Sequence, residues 1–92
     1  MRYKKSRDKN HADIQNSLEK CGVDVIDLSG AKNGIPDIAT YWNGQTVWIE
    51  IKAGNTSHVE NSQLKFFSKW KGCCGIAQNF EQALAMAKYP NQ

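Results

Sequence analysis

Asp37, Glu50 and Lys52 are the residues of this 92-residue chain whose types and spacing point most directly to chemistry. Between them lies Asn43-Gly44, the dipeptide best suited to the positive φ angles of a two-residue hairpin turn. Counting outward from that turn, Trp42 faces Gln45, Tyr41 faces Thr46, Thr40 faces Val47, Ala39 faces Trp48, Ile38 faces Ile49 and Asp37 faces Glu50. Strand side chains alternate with a period of two, so Lys52 shares the face of Glu50 while Val47, Ile49 and Ile51 point into an apolar layer on the other side. Two carboxylates and an ammonium group should therefore converge.

Like charges placed opposite each other across a hairpin are destabilising, and a bound cation removes the penalty. Carboxylate oxygens suit Mg²⁺, which usually takes only one or two of them and keeps several waters. Such an ion can lower the pKa of a coordinated water and offset charge on a phosphoryl oxygen, and a lysine alongside can stabilise the charge that develops there. The chemistry indicated is phosphodiester hydrolysis with Mg²⁺ or Mn²⁺. The same spacing also fits a plainer arrangement, a solvated face on which Lys52 neutralises Glu50.

The elements that must position these groups can be read from periodicity and punctuation. Asn10 is placed to cap a first helix with apolar Ile14, Leu18 and Cys21 on one face and Gly22 at its end. Residues 23–28 read as a strand followed by a polar, glycine-containing loop over 29–34, and residues 37–42 and 45–52 form the hairpin. After a loop over 53–61, residues 62–71 read as a helix with Leu64, Phe67 and Lys71 on one row and Phe66 and Trp70 on the next. Residues 73–77 suit a short buried strand, and Asn79 with Gln82 forms a capping-box pattern opening a last helix that stops before Pro90. The strands on either side of the second helix would run parallel and the hairpin antiparallel, giving an α/β fold with a mixed four-stranded sheet flanked by helices.

Composition limits the rest. Ninety-two residues, 40% hydrophobic and 23% charged, fit one folded domain over 1–92 with no internal repeat. No apolar run approaches a membrane span or the core of a secretory signal, so the expected location is the cytoplasm, the host's if a phage encodes the chain. The three cysteines, Cys21, Cys73 and Cys74, suit neither a disulfide framework nor a zinc site and read as small buried apolar residues. Net charge is only +3, but Arg2, Lys4, Lys5, Arg7 and Lys9 concentrate five of the twelve basic residues in an arm over 1–9. That clustering, with Lys32, Lys65, Lys69 and Lys71, favours a phosphate-bearing partner. His11 has no partner at metal-ligand spacing and reads as a surface residue. His58 and Glu60 lie in the loop beside the proposed site, and Trp42, Trp48 and Trp70 read as core or interface residues with base stacking as an alternative.

Gly34-Ile35-Pro36-Asp37, a gap of twelve residues after Asp37, and then Glu50-Ile51-Lys52 resembles the PD-(D/E)XK nuclease signature. With Gln63 opening the next helix, the pattern over roughly residues 10–72 is most similar to the VRR-NUC branch, particularly its small stand-alone forms carried by bacteriophages. The resemblance implies a restriction-endonuclease-like αβββαβ core. It also implies that Asp37, Glu50 and the backbone carbonyl of Ile51 hold the metal, that Lys52 assists catalysis, and that Gln63 helps to arrange the site. In that family an acid of the first helix, commonly glutamate, precedes an Ile-Gln pair. Here Asp13 precedes Ile14-Gln15, and its shorter side chain would reach a metal only through water.

The function expected is that of a metal-dependent DNA endonuclease, structure-selective because nothing resembles a base-reading motif, with branched or Holliday-junction DNA among its candidate substrates. A single small active site would cut two strands only as a symmetric pair, so a homodimer is expected, with no membrane and no small-molecule cofactor. Two alternatives belong to other classes: a catalytically silent nucleic-acid-binding module, and an accessory protein that docks on a larger enzyme.

Overall fold

In the computed structural model, which describes residues 9–52 and 61–90, the chain runs α1 (Lys9–Lys20), β1 (Asp24–Asp27), β2 (Ile38–Trp42), β3 (Gln45–Ile51), α2 (Asn61–Lys69), β4 (Cys73–Ala77) and α3 (Phe80–Lys88). The four strands form one sheet in the order β1-β2-β3-β4. β1, β2 and β3 pair antiparallel, and β4 lies parallel to β3 beyond α2. Order and mixed sheet are those expected from the sequence. No helix among the described residues is long and apolar enough to cross a membrane.

The hairpin has the expected register, with Trp42 opposite Gln45 and Ile38 opposite Ile49. Asn43 and Gly44 hold φ angles of 52° and 86°, the left-handed pair that a tight turn between twisted strands requires. Val47, Ile49 and Ile51 alternate onto one face with Ile38, and there they join Ile14 and Leu18 of α1 and Ala83 and Ala87 of α3 in the core. The small alanines let α3 lie close against the sheet.

Several boundaries differ from expectation. α1 begins at Lys9, so Asn10 lies inside the first turn instead of capping it. The helix ends at Lys20, which leaves Cys21 beyond the last turn and exposed, while Cys73 and Cys74 are half-buried; none of the three is a fully buried core residue. α2 closes at Lys69, so Lys71 lies outside it. Asn79 does cap α3, its Oδ1 accepting from the Gln82 amide at 2.8 Å, but Gln82 Oε1 accepts from the Gln78 amide instead of closing a reciprocal box on Asn79.

Ile49 is fully buried between β2 and β4. Ile49→Ala should lower unfolding free energy by about 2–5 kcal/mol in urea denaturation, with the denaturant slope unchanged.

Candidate active site

The site forms at the end of the sheet where β1 and β3 finish and β2 begins. The β2–β3 ladder stops at Ile38–Ile49, one pair short of the expected Asp37–Glu50 pair. Asp37 instead continues the pairing to β1, its carbonyl accepting from the Leu28 amide at 2.7 Å, and turns its carboxylate toward β3. There Asp37 Oδ2 accepts a hydrogen bond from the Ile51 amide at 3.0 Å. A side chain thus takes the donor that a longer β2 would have used, and this fixes the carboxylate relative to Glu50 and Lys52.

Glu50 lies on the opposite face of β3 from the core isoleucines and is only 3% exposed. Its Oε2 accepts from Gln63 Nε2 of α2 and lies 3.3 Å from the Lys52 ammonium. Its other oxygen, Oε1, is buried with no hydrogen-bond partner among the described residues. A buried carboxylate oxygen normally finds a donor, so a bare one marks a place where an electropositive group fits.

α2 brings Gln63 to this point by aromatic packing. Trp48, two residues before Glu50 on the same face, lies with its ring centroid 5.9 Å from Phe66 and 5.2 Å from Trp70. Phe66 and Trp70, one helical turn apart, stack at 5.4 Å. Gln63 and Phe66 of α2, with Trp70 just past its end, therefore form one stripe, laid along the Trp48–Glu50 stripe of β3 so that the amide meets the acid.

Burial pushes the Glu50 carboxyl above its ordinary value, the Asp37 charge adds to the rise, and Gln63 and Lys52 oppose it. Asp37 is likewise raised, chiefly by burial; the Ile51 amide and the charges of His11 and Lys52 oppose this, and Asp27 adds to it. The two acids thus resist being charged together, and a cation between them would relieve both.

His11 and Asp27 were not foreseen as neighbours of the site. His11 is not a surface residue: it is 4% exposed, with Nε2 3.7 Å from Asp27 Oδ1. The signal was present, because His11 continues the buried stripe of Ile14 and Leu18 at helical spacing. Asp27 ends β1, where its carboxylate also accepts from the Ser29 amide and hydroxyl at 2.9 and 2.6 Å.

Of the other expected residues, Asp13 is exposed on the second turn of α1 and is not among the charges that shift Asp37 or Glu50. Lys32 and Lys65 are exposed, Lys32 in the β1–β2 loop and Lys65 on α2. Arg2, Lys4, Lys5, Arg7, the Lys9 side chain, His58 and Glu60 lie outside the described residues.

The donor set of Asp37 and Glu50 is all oxygen, one of the oxygens bare and buried, and this fits a hard divalent cation better than a soft metal. The αβββαβ order and the mixed sheet define a restriction-endonuclease-like α/β fold. A solved structure described as a VRR_NUC domain shares that fold with a TM-score of 0.66, over 83% of this chain and 87% of that one, at 18% sequence identity. No family sequence model and no curated protein sequence matches the chain.

The raised Glu50 carboxyl sets a pH dependence. Folded Glu50 holds its proton more tightly than the unfolded chain does, so stability should rise as pH falls from the raised value toward the ordinary 4.5. In chelating buffer Glu50→Gln, permanently neutral, should melt higher than the parent at pH 7, and the gap should close as pH approaches 4.5 in thermal denaturation. Equal melting temperatures across that range would show that the buried charge carries no penalty.

Proposed function

We propose that this chain is a divalent-cation-dependent DNA endonuclease of the VRR-NUC kind. The observation that carries the proposal is Glu50: a buried acid with one oxygen held by Gln63 and Lys52, the other bare, and the Asp37 carboxylate beside it. The shared fold with a VRR_NUC domain supports the same reading.

Asp37 and Glu50 would hold Mg²⁺ or Mn²⁺, with the Ile51 carbonyl as a further oxygen ligand and Asp13 acting through water. When bound, the ion supplies positive charge at the scissile phosphate and lowers the pKa of a coordinated water. The protein's own groups do the rest. The Ile51 amide favours the carboxylate form of Asp37 against its burial and holds it in place, Gln63 orients Glu50, and Lys52 would direct its ammonium at the phosphoryl oxygens, where negative charge grows in the transition state. Lys32, Lys65 and the basic arm would track the DNA backbone. The described residues form one such site, so cutting both strands of a branched or Holliday-junction substrate would take a homodimer.

Nicking of supercoiled plasmid in Mg²⁺ or Mn²⁺ should be abolished by EDTA and reduced about 10²–10³-fold or more by Lys52→Ala, Asp37→Asn or Glu50→Gln. DNA binding without cleavage under every metal condition would instead indicate a silent nucleic-acid-binding module.

A further inference from the structure

On the face of the sheet that carries Trp48 and Glu50, Phe66 of α2 and Trp70 just past it line a groove together with Asn33, Lys65 and Lys69. We propose that this groove receives an unpaired nucleobase of the DNA, which would make the preferred substrate one with unpaired nucleotides next to the cut. The proposal rests on the nuclease reading and names the substrate class for that site.

Trp70 is 42% exposed although it stacks on Phe66 with an interplanar angle of 14° and meets Trp48 edge to face, so a residue already seated in an aromatic cluster still reaches solvent at the groove. The indole is held by its contacts with Phe66 and Trp48 and lies over Gly72, where a Cβ would fall 2.8 Å from Nε1. An exposed aromatic residue already packed on one side offers a base a stacking partner that loses little entropy on binding.

Charge identifies the occupant. Lys65 and Lys69, four residues apart on α2, are both exposed at the rim, on the same side as the groove. Lysines are depleted from the centres of protein–protein contacts, whereas a lysine pair flanking an aromatic plate matches a nucleotide, with its base on the ring and its phosphates on the ammonium groups. Asn33, held at a φ of 68°, supplies an amide with donor and acceptor for a base edge.

Position ties the groove to the chemistry. Trp48, which the plate packs against, is two strand residues from Glu50, a separation of roughly 7 Å. Bases inside a duplex offer only their edges, so a ring that binds a π face selects nucleotides free of the stack.

The test is equilibrium binding in EDTA, followed by fluorescence anisotropy of labelled single-stranded, forked and blunt duplex DNA. The full chain should prefer the single-stranded and forked probes. Trp70→Ala should weaken those two about 10-fold and change duplex binding by less than about twofold, and Trp70→Phe should restore most of the loss. Lys65→Ala with Lys69→Ala should reduce the slope of log affinity against log salt on single strands by roughly 1.4. Thermal melts of each variant verify folding, because Trp70 also packs against Trp48 and Phe66.

Equal affinity of the parent for duplex and single strands would overturn the proposal, as would full single-strand affinity in Trp70→Ala. So would sedimentation showing that Trp70→Ala converts a dimer to monomers, which would place a second copy of the chain in the groove. Because no cleavage is required, the binding pattern without any nicking would sink the nuclease and leave the groove. Nicking without the pattern would do the reverse.

Discussion

One hydrogen bond, from the Ile51 amide to the Asp37 carboxylate, holds together what the rest of the site needs. It exists because β2 begins one residue after Asp37, so the edge of β3 offers a donor that no backbone carbonyl takes up. On its other side β3 is fully engaged: the strand pairs with β4, and the Lys52 amide continues to the Ala77 carbonyl at 2.9 Å. The strand bearing Glu50 and Lys52 is thus fixed from one side by main chain and from the other by the side chain of the second acid. Pro36, just before Asp37, is buried and has no amide hydrogen, which suits a position where the ladder to β3 must stop.

Around that bond the electrostatics are deliberately unbalanced. A buried acid and a half-buried one lie near each other, and both carboxyls are pushed up by their removal from water. Lys52 and Gln63 compensate one oxygen of Glu50 and leave the other bare. A fold selected for stability alone would gain by replacing such a group with an apolar or neutral one. The aromatic contact of Trp48 with Phe66 and Trp70 serves the same end on the same face, because it sets α2 at the height where Gln63 meets Glu50. Packing, register and charge all converge on the end of β3.

Much of this was legible in the sequence wherever local chemistry decides the outcome. Asn43-Gly44 set the turn, and the turn set five cross-strand pairs with Glu50 and Lys52 on one face. The sixth pair was not legible, because counting outward from a turn cannot tell where a side chain will replace the backbone as hydrogen-bond acceptor. His11 reads as a surface residue when only a metal-ligand partner is sought for it, whereas its spacing from Ile14 and Leu18 puts it on the buried stripe. Cys21 failed for the opposite reason: it kept the spacing but fell one residue past the helix end. The exposure of Trp70 depends on how α2 lies across β3, a tertiary fact that composition does not carry.

The central claim is that Asp37 and Glu50 form a cation site. It is tested most directly by calorimetric titration of the chelator-stripped protein with Mn²⁺ in two buffers of different ionisation enthalpy. The account predicts saturable uptake, accompanied near the raised carboxyl values by proton release, in the parent chain and neither effect in Glu50→Gln. No uptake by the parent, or unchanged uptake by the variant, would contradict it.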